Sequence, residues 1–318
     1  MSIELKDVER AHKRIKAVVR KTPLLVSNNE REPGDPDLYF KCENLQRGGA
    51  FKLRGAYNKI SNSPESRRSN GVVAFSSGNH ARAVATSAKL LGLHAKIVMP
   101  KDAPAYKLAA TGKLGAEIIL YDRYKEDRSQ IAQDICETEG RTLVPPFDDA
   151  EIIAGQGTIG LDLLEQSDDL DYVVAPIGGG GLISGIATAI ASQRPEIKII
   201  GAETESANAG FLSLQKGERV EIPVPQTIAD GMQVPLIGEL TFEIIKKYVA
   251  EILLVTEDDI VENLRFAADE IKQIIEPTSA VAVAAARKIA ERERDAQIAV
   301  ILSGGNIDLE KFSSLVKR

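Results

Sequence analysis

Four consecutive glycines form the strongest chemical signal in the sequence. The segment DYVVAPIGGGGLISG runs from an apolar stretch through Gly178, Gly179, Gly180 and Gly181 into a helical pattern. Glycines let backbone N–H groups converge on an anion, and a helix N-terminus adds a favourable dipole. Because the spacing fits neither a P-loop nor G-x-G-x-x-G, the segment predicts a phosphate-binding turn of another kind. A tight turn alone would explain one or two of the glycines.

A lysine that follows a second glycine turn is the candidate nucleophile. In the segment KCENLQRGGAFKLRGA, Lys52 comes after two glycines and the apolar pair Ala50 and Phe51. A lysine shielded from water has a lowered pKa and is available as the neutral amine that a Schiff base requires. Taken alone, such a residue is more often a solvated surface lysine. The reactive interpretation therefore depends on a nearby aldehyde whose phosphate the glycines hold.

Two further turns carry polar side chains. The segment AFSSGNHA presents four of them together: Ser76, Ser77, Asn79 and His80. Hydroxyls and free helix N–H groups can bind a substrate carboxylate, although a serine or asparagine here would also serve as an ordinary helix cap. In VILSGGNID, Ser303 could give a neutral hydrogen bond to a cofactor ring nitrogen or merely cap the last helix. The role of Glu276 has two interpretations, a contact with the cofactor or the end of a helix.

The elements that must position these turns indicate an α/β fold. From residue 72 onward, short β-branched runs alternate with helical patterns, as in a parallel sheet covered by crossover helices. The predicted strands are Val72–Phe75, Ala95–Met99, Glu117–Tyr121, Thr142–Val144, Tyr172–Ala175, Lys198–Ala202, Ile252–Val255 and Gln297–Leu302. The predicted helices include His80–Leu91, Lys125–Glu139, Leu182–Ser192, Asp259–Ile274 and Ser279–Glu291. Since ligands collect beyond the carboxyl ends of such strands, the polar turns are expected to converge there.

Bulk composition limits the classes of function. The 318 residues are 43% hydrophobic, enough for two lobes, and the net charge of -6 argues against binding to nucleic acid or to an anionic membrane. A small-molecule partner is therefore expected. The two cysteines, Cys42 and Cys136, lack the spacing of a zinc site or a disulfide framework. A secretion signal and a run of about 18 apolar residues are both missing, so we expect a cytoplasmic protein.

As an ordered set, these segments resemble the fold-type II pyridoxal phosphate enzymes, and within them the threonine/serine dehydratase and serine racemase family. The resemblance extends from about Lys21 to Asp308 and includes the stretches DRYKEDR, FDDAEIIAGQGT and TIADG. It implies a two-lobed fold like that of the tryptophan synthase β subunit, with parallel twisted sheets and helices on both faces. The smaller lobe would be residues 43–145, and the larger lobe residues 1–42 and 146–318. A homodimer is also implied.

The resemblance assigns a role to each candidate residue. Lys52 would hold pyridoxal 5'-phosphate as a Schiff base and take the substrate α-proton, with Phe51 beside the ring. Gly178 to Gly181 would hold the phosphate, Asn79 would hydrogen-bond the ring hydroxyl, and Ser303 would face the ring nitrogen. The substrate carboxylate would be surrounded by Ser76, Ser77, Asn79 and His80. Glu276 is included among the residues near the cofactor.

The implied activity is that of an ammonia-lyase. It would convert L-threonine, L-serine or 3-hydroxyaspartate to a 2-oxo acid and ammonia, because a serine at the ring nitrogen makes the cofactor a weaker electron sink and favours loss of a β-hydroxyl. The alternative is an amino-acid racemase with Lys52 and Ser77 on opposite faces, since Ser77 matches the residue that serves that face in serine racemases. Outside this family, an oxidoreductase or a non-catalytic phosphate-ligand binder would also use such glycines.

Two departures from the family pattern bear on specificity and metal binding. Ala50 stands where the family usually has serine, so one hydroxyl near the cofactor is missing. Racemase-like members bind a divalent cation through a glutamate, a backbone carbonyl and an aspartate. Glu203 and Ala207 match the first two, but Ala209 replaces the aspartate, so no firm metal site is predicted. The sequence assigns no role to Asp148 or Asp149.

Overall fold

Two β-sheets with packed helices organise the part of the chain that the computed structural model describes, residues 3–27 and 34–317. The strands are β1 (Leu24–Val26), β2 (Asp37–Lys41), β3 (Val72–Phe75), β4 (Ala95–Pro100), β5 (Glu117–Tyr121), β6 (Thr142–Leu143), β7 (Tyr172–Pro176), β8 (Lys198–Thr204), β9 (Val249–Val255) and β10 (Gln297–Ile301). The helices are α1 (Leu5–Ile15), α2 (Leu53–Asn62), α3 (Glu65–Arg68), α4 (Asn79–Leu90), α5 (Ala105–Gly112), α6 (Arg128–Glu139), α7 (Ala150–Gln166), α8 (Gly181–Ala191), α9 (Ala209–Lys216), α10 (Glu239–Tyr248), α11 (Glu257–Phe266), α12 (Pro277–Ala290) and α13 (Leu309–Val316). None of these helices is both long and apolar enough to cross a bilayer.

The strand order confirms the predicted α/β class. The larger sheet runs β1-β2-β10-β7-β8-β9 and the smaller sheet β5-β4-β3-β6. Only β1 and β2 pair in antiparallel fashion, and the remaining described neighbours are parallel. The smaller sheet is built from residues 72–143 and the larger sheet from residues on both sides of that range. This distribution agrees with lobes divided near residues 43 and 145, although the division itself stays a prediction.

Most predicted strand bounds agree with the structure to within two residues, and the exceptions have local causes. The short strands β1 and β2 were not predicted, and β9 begins at Val249 rather than Ile252. The predicted helix Asp259–Ile274 was too long. Helix α11 ends at Phe266, and a π-helical turn then leads to Lys272, whose φ of 58° is left-handed. A residue in that conformation ends a helix. The position is usually a glycine, which the sequence would show, but here it is a lysine.

The glycine quartet lies between two fully buried elements. All five residues of β7 are buried, as expected for a central parallel strand covered on both faces. Helix α8 follows and is buried from Gly181 to Ile190. The chain therefore enters and leaves the turn through rigid core, which fixes where the glycine N–H groups point.

Helices α2 and α7 approach each other closely enough for backbone contact at Gly55 and Gly155. A Cβ added to Gly155 would lie 2.6 Å from the Gly55 Cα, and one added to Gly55 would lie 2.7 Å from the Ile152 carbonyl oxygen. The Gly55 N–H also donates to Gln156 Oε1 at 3.1 Å. Because α2 begins one residue after Lys52, this contact sets the position of Lys52 relative to α7.

Candidate active site

Lys52 is positioned by pairing of the preceding residues with the chain that leaves β10. The Phe51 N–H donates to the Ser303 carbonyl at 3.0 Å, and the Gly305 N–H donates to the Gly49 carbonyl at 2.9 Å. Gly49 has a φ of 76°, in the left-handed region that glycine adopts without strain. The predicted nucleophile and the predicted ring-nitrogen partner are thereby brought together from opposite ends of the chain.

The Lys52 amine lies deep in protein, although the residue as a whole keeps partial exposure. Its Nζ donates to the Pro146 carbonyl at 2.7 Å and lies 5.1 Å from the centre of the Phe51 ring. Burial lowers the pKa of Lys52 to about 8, while the nearby Glu276 carboxylate acts in the opposite direction. A substantial fraction of the amine is therefore neutral near pH 8, as nucleophilic attack on an aldehyde requires.

The backbone N–H groups of the glycine quartet, Gly178 to Gly181, have no acceptor within residues 3–27 and 34–317. Three of the four glycines are buried, and Gly180 has a φ of 92°. A Cβ at Gly179 would overlap the Phe147 ring. Buried N–H groups without a partner are destabilising, so this turn at the start of α8 fits an anion such as the cofactor phosphate.

Ser303 is buried at the end of β10 and faces a second serine. Its Oγ lies 3.1 Å from the Oγ of Ser279 on α12. Ser279 Oγ in turn accepts the Gly304 N–H at 2.8 Å and donates to the Gly304 carbonyl at 2.7 Å. Since the single hydrogen of the Ser279 hydroxyl goes to the Gly304 carbonyl, Ser303 is the donor in the Ser303–Ser279 pair, and its hydrogen would have to turn from Ser279 to reach a ring nitrogen. Its contact with the cofactor stays a prediction.

The SSGNH turn leaves hydroxyls and N–H groups free at the start of α4. Ser76 Oγ accepts the Gly78 N–H at 3.2 Å, whereas Ser77 Oγ has no partner in the described part of the chain. The backbone N–H groups of Asn79 and His80 likewise have no acceptor there. Helix N-termini with free donors bind carboxylates, so the turn retains the substrate role predicted from the sequence.

The His80 ring turns away from this free surface. Its Nε2 lies 2.8 Å from the Val144 carbonyl, which can only accept, so Nε2 carries the hydrogen. Burial and the Lys52 charge lower the pKa of His80 to about 3. The imidazole is therefore neutral, and its side chain orients the turn without adding positive charge for a carboxylate.

Asn79 and Glu276 join two segments 197 residues apart. Asn79 Nδ2 donates to Glu276 Oε1 at 2.7 Å, and Asn306 Nδ2 donates to Asn79 Oδ1 at 2.8 Å. Burial raises the pKa of Glu276 to about 8, so a substantial fraction of this carboxyl is protonated at neutral pH. The sequence alone did not decide whether Glu276 contacts the cofactor or ends a helix. The structure places it directly before α12 and in contact with Asn79.

A single stretch, residues 144–149, contacts most of these groups, and we call it the junction segment. It connects β6 to α7. Val144 and Pro146 offer their carbonyls to His80 and Lys52. The Phe147 ring lies against Gly179. The amine, the glycine quartet and the SSGNH turn are therefore linked through six residues to which the sequence gave no role in the site.

The two aspartates of the junction segment both cap helices. Asp149 Oδ1 accepts the N–H groups of Glu151 and Ile152 at 2.9 and 3.1 Å, and Lys59 Nζ donates to its Oδ2 at 2.6 Å. Asp148 caps α10, which begins 91 residues further along the chain. An aspartate directly before a helix is a common cap, so the role of Asp149 could have been predicted. The role of Asp148 depends on tertiary structure.

The Glu203 carboxylate is occupied by a helix N-terminus. It accepts the N–H groups of Gly210 and Phe211 at 2.9 and 2.7 Å, in the first turn of α9. Burial raises the pKa of Glu203 to about 8 although these N–H groups oppose the change. Among the described residues, no group of three His, Cys, Asp or Glu side chains could hold a metal ion. The two N–H groups of α9 would compete with a cation for the Glu203 oxygens, and the weak candidates Glu203 and Ala207 stay a prediction.

Chelation is therefore expected to leave activity unchanged. A hard cation takes about six to eight oxygen ligands, and binding at Glu203 would displace two N–H groups from a single buried carboxyl. The measurement is turnover of the holoenzyme with EDTA and with added Mg²⁺ or Ca²⁺. In Ala209→Asp, which restores a second carboxylate, we expect a response to the cation. Loss of wild-type activity in EDTA that Mg²⁺ restores would contradict this assignment.

Cofactor uptake is expected to rise with pH. Because the pKa of Lys52 is about 8 and only the neutral amine attacks an aldehyde, the rate should increase roughly tenfold between pH 6.5 and 8 and level off above 9. Absorbance of the apoenzyme mixed with pyridoxal phosphate follows the reaction. The Glu276→Gln variant removes a charge that raises the pKa of Lys52, so its midpoint should be lower. A rate independent of pH would show that the amine is not the titrating group.

Comparisons with known proteins extend over nearly the whole chain. A sequence model of the family described as pyridoxal-phosphate dependent enzyme matches residues 15–304. The L-threo-3-hydroxyaspartate ammonia-lyase of Saccharomyces cerevisiae is 47% identical over 310 residues, which cover 98% of this chain and 95% of that protein. The serine racemase of Schizosaccharomyces pombe is 45% identical over 312 residues, covering 98% and 97%. The processed form of threonine deaminase isoform 2 from Solanum lycopersicum has a TM-score of 0.93 at 37% identity, covering 98% and 86%.

Proposed function

We propose, since the chain belongs to the family of pyridoxal-phosphate-dependent enzymes, that it is an ammonia-lyase for a small β-hydroxy amino acid. The observation that carries the proposal is the Lys52 amine, whose pKa is lowered to about 8 and which is joined through the junction segment to the glycine quartet. The relatives named an ammonia-lyase and a threonine deaminase support the same reaction class. L-Threonine, L-serine and 3-hydroxyaspartate are the proposed substrates.

The residues present fit the cofactor at both of its ends. Gly178 to Gly181 would hold the phosphate on their unpaired N–H groups, and the Lys52 amine would meet the aldehyde. Ser303 and Asn79 would contact the ring nitrogen and the ring hydroxyl. When bound, pyridoxal phosphate supplies an aldehyde that joins the substrate amine and a ring that delocalises the electron pair left after loss of the α-proton.

The side chains of this chain then provide proton transfer and orientation. Lys52 Nζ, neutral in a substantial fraction near pH 8, accepts the α-proton of the substrate. Ser76, Ser77 and the free N–H groups of α4 hold the substrate carboxylate. Ser303, held by Ser279, offers a neutral hydroxyl to the ring. A neutral partner favours rapid loss of the β-hydroxyl, and the products are a 2-oxo acid and ammonia.

A racemase activity is the second candidate, and the free hydroxyl of Ser77 favours it. Racemisation needs an acid or base on each face of the planar carbon. Ser77 Oγ has no partner within the ranges that the structure describes, so its proton is available to a substrate. A relative named serine racemase shares 45% identity with the chain.

A product assay separates the two candidates. The holoenzyme is incubated with both enantiomers of serine, threonine and 3-hydroxyaspartate, and 2-oxo acid, ammonia and the opposite enantiomer are measured. We expect 2-oxo acid to form at least about tenfold faster than the opposite enantiomer, given the weak electron sink. In Ser77→Ala, the opposite enantiomer should fall by roughly 10²-fold or more, the contribution of one acid–base group. D-Serine forming faster than pyruvate from L-serine would reverse the order of the candidates.

The two lobes, a homodimeric assembly and a cytoplasmic location belong to the same proposal. The separate sheets support lobes at residues 43–145 and at residues 1–42 and 146–318. The homodimer and the location are carried by the resemblance and the composition given above. Light scattering coupled to gel filtration would test the dimer, since a mass of 34.4 kDa at micromolar concentration would contradict it.

A further inference from the structure

Asp148 binds the first turn of α10 from outside that helix. Its Oδ2 accepts the Glu239 N–H at 2.9 Å, and its Oδ1 accepts the N–H groups of Leu240 and Thr241 at 2.9 and 3.3 Å. Gly238 precedes the helix, and a Cβ there would overlap the Asp148 carboxylate. The glycine thus permits the approach, and both carboxylate oxygens are used by one helix N-terminus.

Helix α10 in turn fixes one peptide of the glycine quartet. Thr241 Oγ1 donates to the Gly179 carbonyl at 2.7 Å, and the Gly238 N–H donates to the same oxygen at 3.3 Å. The C=O and N–H of a trans peptide point in opposite directions. Holding the Gly179 carbonyl on α10 therefore directs the N–H of Gly180 away from α10, toward the phosphate position.

The same aspartate lies two residues from the carbonyl that receives the Lys52 amine. Pro146 accepts the Lys52 Nζ hydrogen bond at 2.7 Å, and between them Phe147 packs on Gly179. The junction segment is therefore tied to the amine at Pro146 and, through Asp148 and α10, to the Gly179–Gly180 peptide. This connection sets the distance between the Lys52 amine and the Gly179–Gly180 peptide, the groups that would hold the two ends of the cofactor.

We propose that Asp148 is a positioning residue, which holds the phosphate-binding N–H groups in register with the Lys52 amine. It acts through α10, since both of its carboxylate oxygens accept N–H groups of that helix. The inference rests on the binding of pyridoxal phosphate, and it stands whichever of the two candidate reactions the enzyme catalyses. It gives a role to a residue that the sequence left without one.

The test compares the holoenzyme reconstituted with pyridoxal phosphate and with pyridoxal, which lacks the phosphate. Asp148→Asn keeps the shape of the side chain but places an N–H₂ group against one of the helix N–H groups. The dissociation constant for pyridoxal phosphate, measured by absorbance, is expected to rise about tenfold, whereas that for pyridoxal stays within twofold. Thr241→Val should reproduce this selective loss, and Thr241→Ser, which keeps the hydroxyl, should not.

Asp308→Asn is the matched control for the loss of a helix cap. Asp308 Oδ1 accepts the N–H groups of Glu310 and Lys311 at 3.0 and 3.1 Å at the start of α13. Its replacement should lower the melting temperature by a similar amount and leave both dissociation constants unchanged. The proposal is overturned if Asp148→Asn binds pyridoxal phosphate as tightly as the wild type. An equal loss of affinity for both aldehydes would also overturn it, because that result indicates general loosening of the site.

Discussion

Replacing Lys52 with alanine is expected to lower kcat by about 10³-fold to 10⁴-fold and to abolish covalent attachment of the cofactor. The lysine supplies both the amine that binds the aldehyde and the base that takes the α-proton, and removal of one positioned base alone lowers rates by about 10²-fold to 10⁴-fold. Lys52→Arg should be equally inactive, because a guanidinium remains protonated and cannot act as a nucleophile. Steady-state kinetics and mass analysis of the borohydride-reduced protein measure the two effects.

The control for this prediction lies on the helix that follows Lys52. Lys59 is on α2 and pairs with Asp149, with about a fifth of each side chain exposed. Lys59→Ala should keep kcat within about threefold, and reduced cofactor should be found on the peptide that contains Lys52. A label on another lysine, or a Lys52→Ala enzyme with wild-type turnover, would remove the basis of the proposed function.

Replacing Lys52 with methionine is expected to stabilise the fold, and the sign of this effect follows from the pKa of the lysine. The folded-state pKa of Lys52 is about 8, below the value of 10.5 for an exposed lysine. The unfolded chain therefore binds more protons than the folded chain between these two pH values. The free-energy cost of burying the protonated amine is fully present below about pH 8. Lys52→Met should raise the melting temperature of the apoenzyme at pH 7, and the difference should shrink as the pH rises toward 10.5.

Replacing Arg54 with methionine is expected to lower the free energy of unfolding by about 3–5 kcal/mol, the largest effect on stability that we predict. The guanidinium is fully buried and makes charge-assisted hydrogen bonds to two carboxylates. Nε and NH2 bind the two oxygens of Glu43 at 2.9 and 2.8 Å, and NH2 also binds Asp162 Oδ2 at 2.7 Å. The substitution would leave both carboxylates in the interior, with only the buried Lys41 as a remaining cation.

The pH dependence of this loss distinguishes the buried cluster from simple packing. Burial raises the pKa of Glu43, but the Arg54 guanidinium, the Lys41 charge and the Thr22 hydroxyl together hold it below the ordinary value of 4.5. In the wild type, the stability that the ionised Glu43 contributes is present above about pH 4.5 and is lost as the pH falls further. The deficit of Arg54→Met should therefore shrink at acid pH, because Glu43 then becomes neutral. Denaturant titrations at pH 7.5 and pH 4 measure it.

An exposed ion pair provides the comparison. Lys21 and Glu165 lie 2.8 Å apart with more than half of each side chain exposed. Lys21→Met should change stability by less than about 1 kcal/mol at either pH. If Arg54→Met were as mild as Lys21→Met, the cluster would contribute little to the position of α2.

The sequence predicted the elements of the site better than their connections. The glycine quartet, Lys52 and Ser303 could be proposed from the sequence because each lies beside glycines and an apolar run in a distinctive local pattern. Nothing in the local sequence indicates that Lys41 and Arg54 are buried, yet both are fully buried, since their carboxylate partners come from elsewhere in the chain. Local patterns predict secondary structure, but they do not report which distant groups will neutralise a charge.

The same limit explains why the junction segment was missed. Its Pro146 carbonyl is 94 residues from Lys52, and its Asp148 is more than 90 residues from the helix that it caps. The capping role of an aspartate can be predicted from the sequence only when the helix follows it immediately, as at Asp149. The local sequence likewise gave no sign that the first turn of α9 donates two N–H groups to Glu203, the weak metal candidate.

The contact between Gly55 and Gly155 limits how this enzyme can change over evolutionary time. No side chain separates the two helices at this contact, so even a methyl group at either position would push α2 outward and carry the reactive amine with it. Substitutions that are tolerated in loops and on surfaces would be destabilising at this crossing. We therefore expect changes in substrate preference to arise in the SSGNH turn and neighbouring loops. The contact between α2 and α7 is expected to stay the same.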